Sequence, residues 1–322
     1  MSFTVVSTFS GCGGSCLGYK RAGARVLFAA DFDENAVNTY QANWPDTALY
    51  HGDVSYLSVD EIFKETRLKK GELDIFDGSP PCQGFSTAGK RQMTDSRNQL
   101  FKEYCRLLVG LQPKCFIMEN VSGMIKGNMK FIFVEVLKSL KECGYRVKAK
   151  LLNAKNFGVP QSRERLIFIG IREDLKIEPS FPEKNKKIIT FKDAVLDCIE
   201  GERKEPKGFI AEIANKLKPG ENCSIYHPKK HCFSSFRIDP NMPAPTITKT
   251  FGASRSFVMH PFINMSLSIE EVKRLFTFPD DYIFMGKFEQ KWARLGNCVP
   301  PDFMKAIATH IYENVLKKVN SV

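Results

Sequence analysis

A cysteine stands in Asp77-Gly78-Ser79-Pro80-Pro81-Cys82-Gln83-Gly84-Phe85-Ser86, directly after an apolar run at residues 73–76. The run reads as a buried strand that ends in a turn. Two prolines stiffen the backbone ahead of the thiol and bring no amide donors. Gly84 lets the chain bend sharply after it. Cys82 is therefore expected at a strand end, where α/β sheets place reactive groups, and a thiolate there is a nucleophile. Taken alone, Pro-Pro-Cys is more often a proline-rich turn with an incidental thiol, since a lone cysteine is often simply buried.

Two further strand ends carry polar groups. Residues 114–118 read as a short strand that delivers Glu119-Asn120-Val121, a carboxylate fit for acid–base work. Its bland alternative is a helix N-cap region satisfied by Asn120 or Ser122. Gln161-Ser162-Arg163-Glu164-Arg165 leads into a strand at residues 166–171. Alternate arginines on a strand share a face, and two guanidiniums suit a phosphate, or a carboxylate and a base carbonyl. A solvated sheet edge explains them equally well.

The elements that must position these groups begin at the N-terminus. A strand at residues 4–9 runs into Phe9-Ser10-Gly11-Cys12-Gly13-Gly14, then a helix, a strand at 26–30 and Asp31-Phe32-Asp33. A strand, glycine-rich turn, helix and strand closed by a carboxylate is a nucleoside-binding layout: the glycines admit the ligand to the backbone and the acid takes ribose hydroxyls. Gly52-Asp53-Val54 adds a second acid, placed to read an adenine amino group. The spacing is neither Gly-x-Gly-x-x-Gly nor a P-loop, and a purely structural tight turn would explain the glycines as well. Helices are expected at 34–43, 100–111, 131–143, 266–276 and 302–318, with a basic loop at 84–99 as a lid. The strand–helix alternation stops after Arg172, and short β-prone runs such as 246–251 follow.

The 322 residues are 43% hydrophobic and 26% charged, the balance of a soluble globular chain, with no apolar run long enough for a bilayer and no basic leader at the N-terminus. Ten scattered cysteines without a Cys-x-x-Cys pair read as free thiols in a reducing cytoplasm. The spacing of Cys223, His227, His231 and Cys232 matches no common metal site, so no metal is expected. The net charge is +11, and residues 82–170 hold 16 Lys+Arg against 6 Asp+Glu, whereas 172–275 hold 18 against 14. A basic region beside a candidate site suits a polyanionic substrate.

Taken in order, Phe9-x-Gly11-x-Gly13, Pro81-Cys82-Gln83, Glu119-Asn120-Val121, Gln161-x-Arg163-x-Arg165, Arg274-Leu275-x-x-Phe278-Pro279 and Gly296-Asn297-x-Val299-x-Pro301 resemble the cytosine-C5 DNA methyltransferase family, of the compact prokaryotic or phage type, across nearly the whole chain. The resemblance implies an α/β fold: a Rossmann-like catalytic and cofactor-binding domain at 1–171 plus 288–322, and a smaller, irregular β-rich target-recognition domain at 172–287. It implies that the Cys82 thiolate adds to C6 of a flipped-out cytosine, and that protonated Glu119 donates to N3. Arg165 would hold O2, and Arg163 would support Glu119 and the pocket wall. The implied methyl donor is S-adenosyl-L-methionine, on Phe9, Gly11, Gly13, Asp31, Phe32, Asp53, Val54, Pro80, Leu100 and Asn297. Double-stranded DNA is the implied partner. A cytoplasmic monomer within a restriction-modification system, paired with a cognate endonuclease, is the implied setting.

The chain departs from the family pattern at Ile269, Phe276 and Cys298, where arginine, glutamine and a serine or alanine are usual. These bear on packing near the recognition domain more than on chemistry. An RNA (tRNA) cytosine-C5 methyltransferase has the same catalytic motifs. A catalytically silent DNA-binding protein would not need the Cys82, Glu119 and Arg165 set, and a nicotinamide oxidoreductase would need the other glycine spacing.

Overall fold

The computed structural model describes residues 2–81, 96–126, 129–195, 197, 201–232, 234–252 and 256–319. Cys82 and residues 84–95 of the expected lid lie outside the described residues. Two compact units are formed: one by Met1–Leu152, Glu164–Glu183 and Met304–Val322, the other by Asn153–Arg163 and Lys184–Phe303.

The first unit is built on strands β1 (Phe3–Thr8), β2 (Ala24–Asp31), β3 (Ala48–His51), β4 (Ile75–Gly78), β5 (Cys115–Val121), β6 (Tyr145–Asn153) and, after the short β7 (Gln161–Ser162) of the other unit, β8 (Glu164–Arg172). Its helices are α1 (Gly14–Arg21), α2 (Glu34–Asn43), α3 (Val59–Thr66), α4 (Ser96–Leu111) and α5 (Lys130–Glu142). The sheet order is β3-β2-β1-β4-β5-β8-β6. β3, β2, β1, β4 and β5 are parallel, whereas β8 runs antiparallel to β5. This is the mostly parallel, Rossmann-like α/β fold. The order reverses between β1 and β4, and the crevice outside their carboxyl ends is where such sheets bind ligands.

Local chemistry sets the element ends. Asp33 caps α2 by accepting from Ala36 N at 3.0 Å, and Ser58 caps α3 by accepting from Glu61 N at 3.0 Å. β5 is buried from Cys115 to Asn120, as its continuous apolar run requires for a strand covered on both faces. Under it, Phe76 stacks on Tyr104 at 4.8 Å, and Tyr104 meets Phe116 edge-on at 6.3 Å. Gly78 ends β4 because a Cβ there would sit 2.7 Å from the Tyr104 ring and 2.8 Å from Thr8 Oγ1.

The second unit holds short pieces. Parallel two-residue pairs join β7 to β10 (Ala244–Pro245) and β9 (Phe236–Arg237) to β11 (Val258–Met259). The same unit holds helices α6 (Phe191–Val195), α7 (Phe209–Ile213), α8 (Ile269–Leu275) and α9 (Phe288–Asn297). The β-prone run at 246–251 forms no strand, because side chains take its backbone groups. Gln161 Oε1 accepts from Ile247 N, Arg163 donates to Ile247 O, and Trp292 Nε1 donates to Thr248 O. Helix α10 (Pro301–Ile311) begins in the second unit, whose last residue is Phe303, and continues in the first. Among the described residues no helix is long and apolar enough to cross a membrane, and no group of three acidic, His or Cys side chains could hold a metal ion.

Candidate active site

The turn after β1 opens on a strained residue. Phe9 has φ +55°, a left-handed conformation that bulky side chains rarely adopt. Gly11 follows at φ +55°, with nothing within 4 Å of where a Cβ would stand. Its N–H donates to Asp31 Oδ2 at 2.7 Å, and Asp33 N donates to Asp31 Oδ1 at 3.0 Å. The carboxylate that ends β2 is thus locked beside the glycine turn. Gly13, at φ +85°, is the N-cap of α1.

Phe9, Ala30, Asp31, Phe32, Gly52, Asp53, Val54 and Leu100 line one cavity of about 220 Å³. Six of the ten cofactor residues expected from sequence meet there. Phe32 is 71% exposed, an aromatic face left uncovered at the rim. Asp53 Oδ1 accepts from Ser55 N at 2.9 Å and Ser55 Oγ at 2.8 Å, a local turn that fixes the carboxylate. Its Oδ2 makes no hydrogen bond among the described residues. An open glycine backbone, a bare aromatic face and two fixed carboxylates fit a nucleoside-bearing ligand. Pro80 is buried, and its carbonyl accepts from Asn120 Nδ2 at 3.1 Å. Asn297 ends α9 in the second unit.

Glu119 and Arg165 are brought together. In the β5–β8 register Glu119 pairs with Ile167 and Val121 with Arg165, so the two side chains are diagonal neighbours on one face. Arg165 Nε lies 2.6 Å from Glu119 Oε1, and Arg165 Nη1 donates to Glu164 O at 2.8 Å. Arg163 has other partners. It is fully buried in the second unit and donates to the carbonyls of Ile247 (2.9 Å), Gly296 (2.7 Å) and Cys298 (3.2 Å), with Phe276 5.2 Å from its guanidinium. The guanidinium at Glu119 is therefore that of Arg165, and the expected common face for the two arginines is not formed. The cause is a break in pairing at residue 163, between β7 and β8, which interrupts the two-residue period. The ring at Phe276, where the family pattern has glutamine, packs on this arginine.

Sequence reading missed two groups. Asn120 ties the end of β5 to Pro80 while its Oδ1 accepts from Val121 N at 2.9 Å. Asp77 is buried on β4. Ser7 Oγ donates to its Oδ2 at 2.8 Å, and Tyr19 OH to its Oδ1 at 2.9 Å. Burial pushes its carboxyl up to about 7; the Ser7 and Tyr19 hydrogen bonds oppose the rise, and the Glu119 charge adds to it. An acid directly after the apolar run, before the strand ends at Gly78, was the available signal.

The comparisons with known proteins agree with this geometry. The family model described as C-5 cytosine-specific DNA methylase matches residues 3–313. The chain belongs to this family. It is similar to the Type II methyltransferase M1.HphI of Haemophilus parahaemolyticus, 36% identical over 98% of this chain and 87% of the relative. It is 32% identical to the Type II methyltransferase M.NgoPII of Neisseria gonorrhoeae over 95% of this chain and 94% of the relative. A solved structure described as a DNA modification methyltransferase encoded within a prophage (E. coli) superposes with TM-score 0.78 at 26% identity, covering 98% of this chain and 99% of that one. Spodoptera frugiperda DNMT2, at TM-score 0.70 and 19% identity over 94% of this chain and 97% of its own, shares the fold. The chain is thus a DNA (cytosine-5-)-methyltransferase, an activity whose family implies S-adenosyl-L-methionine as methyl donor and DNA as substrate.

Proposed function

We propose that the chain methylates C5 of a cytosine within a specific duplex DNA sequence, with Cys82 as nucleophile and Glu119 as proton donor. The observation that carries this reading is the Glu119–Arg165 pair, 2.6 Å apart at the end of a buried strand whose next residue, Asn120, is hydrogen-bonded to Pro80. Cytosine C5 is a poor nucleophile. A bond from Cys82 Sγ to C6 moves electron density towards C5 and N3. Protonated Glu119 donates at N3 and accepts from the exocyclic amine, while Arg165 orients Glu119 and holds the base O2. C5 then takes a methyl group, the C5 proton leaves to a base, and the Sγ–C6 bond breaks. A cytosine inside a duplex is out of reach of a thiol, so the base is flipped out.

S-adenosyl-L-methionine supplies the methyl group when bound. Phe9, Gly11, Gly13, Asp31, Phe32, Asp53, Val54, Pro80 and Leu100 are the residues assigned to hold it, with Asn297 completing the pocket. Phe32 stacks on adenine, Asp53 accepts from its amino group, and Asp31 takes the ribose hydroxyls. Arg163 supports the pocket wall through the carbonyls of Ile247, Gly296 and Cys298. Target recognition is assigned to residues 172–287. The enzyme works as a cytoplasmic monomer. It acts alongside a cognate restriction endonuclease, a pairing supported by the Type II designation of its relatives.

The test uses duplex DNA carrying 5-fluorocytosine, whose C5 fluorine blocks the final elimination. A covalent protein–DNA complex is expected with the wild-type chain and cofactor, and none with Cys82→Ala. Labelled methyl groups should pass to DNA and not to tRNA; transfer to tRNA alone would overturn the substrate assignment.

A further inference from the structure

We infer that Arg106 is a positioning residue that acts through Asp53: it holds the Asp53 turn against α4 and so sets the preference of the cofactor cavity for an amino over a carbonyl group at C6 of the purine. The inference rests on the reading of Asp53 as the acceptor from the adenine amine.

Residues 52–58 join β3 to α3 without a strand or helix of their own. Inside this connection Asp53 Oδ1 is fixed by Ser55, Tyr56 N donates to Asp53 O at 3.0 Å, and Leu57 N donates to Val54 O at 3.2 Å. These bonds shape the turn but do not set where it stands in the cavity. The side chains of Val54 and Leu57 are buried and hold the stretch down, yet apolar contact is non-directional. Direction comes from two ties to other elements. Gly52 N donates to Asp31 O at 3.1 Å and fixes the first end against β2. Arg106 fixes the rest. Its Nη2 donates to Val54 O at 3.1 Å and to Leu57 O at 2.8 Å, so one guanidinium nitrogen bridges both ends of a four-residue stretch that begins beside Asp53.

Helix α4 presents that guanidinium in a fixed place. Glu103 Oε2 lies 2.6 Å from Arg106 Nε, and Glu103 Oε1 accepts from Gln99 Nε2 at 3.0 Å. Gly110, one turn after Arg106, is a second point of contact, because a Cβ there would collide with the side chain of Val59, the first residue of α3. Residues four apart share a helix face, so Arg106 and Gly110 seat one face of α4 on the connection. Leu100, earlier on the same helix, lines the cavity together with Asp53 and Val54. One helix thus supplies part of the cavity wall and anchors the carboxylate on another part. Stability alone does not account for this arrangement: Arg106 is 41% exposed, where an ion pair contributes little. A site that reads one hydrogen bond, in contrast, needs its acceptor held to within about 0.5 Å. The same turn leaves Asp53 Oδ2 without a hydrogen bond among the described residues, open to a donor on the ligand.

The experiment is calorimetric binding of S-adenosylhomocysteine and of S-inosylhomocysteine, which carries a carbonyl oxygen in place of the adenine amino group. The proteins are wild type, Arg106→Met, Arg106→Lys and Asp53→Asn. Wild type should bind the adenosyl compound about tenfold or more tightly, because a carboxylate accepts from an amine and repels a carbonyl oxygen. Asp53→Asn keeps the acceptor for Ser55 and turns an amide donor to the ligand, so the preference should vanish or reverse. Arg106→Met keeps the aliphatic stem and loses the donors. Its preference should fall about fivefold through weaker binding of the adenosyl compound, with S-inosylhomocysteine bound within about twofold of wild type. Arg106→Lys, whose single nitrogen still reaches a carbonyl, should lie between, and it decides the matter alone should Arg106→Met fail to fold. A wild-type preference in the deciding variant, whatever the shared loss of affinity for both compounds, overturns the inference. If Asp53→Asn loses the preference while the Arg106 variants keep it, only the role of Arg106 falls. If Asp53→Asn keeps the wild-type preference, the reading of Asp53 falls and this inference with it.

Discussion

Arg165 meets Glu119 diagonally across β5 and β8, 2.6 Å from guanidinium nitrogen to carboxylate oxygen, with the two side chains only 13% and 11% exposed. A pair so enclosed holds one geometry, because neither group has water to turn to. Glu119→Gln keeps the shape and the acceptor but removes the proton donor. Methyl transfer should fall by roughly a hundredfold or more, the range of general acid catalysis, while the thermal midpoint stays within a few degrees. Arg165→Lys keeps the charge and loses the planar fork, so its loss should be smaller, about tenfold, in turnover. Transfer of labelled methyl groups and thermal melts of the same preparations check both.

Arg163 is two residues away in sequence and answers to different physics. Its guanidinium is fully buried and satisfies three backbone carbonyls at once. Lysine cannot reach three acceptors from a single nitrogen in that geometry, and truncation leaves carbonyls buried without donors. Arg163→Lys and Arg163→Met should each lose about 2–4 kcal/mol of stability, seen as reduced soluble yield and an earlier urea transition. Arg165→Lys should show neither effect. An equal loss of stability in the two lysine variants would contradict the division.

That division also marks the limit of what the sequence discloses. The strand-end acids, the glycine turn and the parallel sheet were legible because each follows from local pattern: period, turn chemistry and strand length. Phe9, Asp31, Phe32, Asp53, Val54 and Leu100 were assigned to one ligand on sequence alone, and they line one cavity. The fates of Arg163 and Arg165 were not legible, because the strand breaks at residue 163, between β7 and β8, and the break cancels the two-residue period. Asp77 was passed over for a related reason. Burial in a strand normally excludes an acid, and only the register that places Ser7 beside it shows how the carboxyl is satisfied. The run at 246–251 has strand-forming residues, yet its backbone is claimed by Gln161, Arg163 and Trp292. Such long-range claims leave no periodic trace.

The cavity proposed to hold the cofactor offers a prediction free of folding effects. Phe32 is 71% exposed, so Phe32→Ala removes little packing. An adenine stacked on that ring would contribute about 1–3 kcal/mol, which predicts roughly a tenfold or greater weakening of S-adenosylhomocysteine binding by calorimetry. Gly11→Ala acts differently. A Cβ there meets no protein atom within 4 Å, but φ +55° disfavours it, and in the proposed site the methyl group would face the ligand. Both variants should melt within a few degrees of wild type without cofactor and lose most of the thermal shift that S-adenosylhomocysteine gives the wild type.

Two buried carboxyls should give opposite pH dependences of stability. Glu271 is 2% exposed in the second unit. Burial pushes its carboxyl up, but hydrogen bonds from His260, Arg203 and Ser268 N outweigh this and hold it at about 2. Its folded value lies below the unfolded one, so its contribution is present above about pH 4.3 and is lost as pH falls through about 2, roughly 3 kcal/mol in all. Asp77, held near 7, has the reverse sign: it costs nothing below its unfolded value of about 3.9, and its cost grows as pH rises to about 7 and stays thereafter. Glu271→Gln should therefore destabilise the chain most at neutral pH, with the gap to wild type narrowing as pH falls from about 4 towards 2. Asp77→Asn, which keeps an acceptor for Ser7 or Tyr19, should melt above wild type near pH 8 and level with it near pH 4, the difference at pH 8 reaching at most about 4 kcal/mol. Melts of the three proteins in matched buffers across that range test both signs. A destabilised Asp77→Asn at alkaline pH would mean that its hydrogen bonds outweigh the burial of its charge.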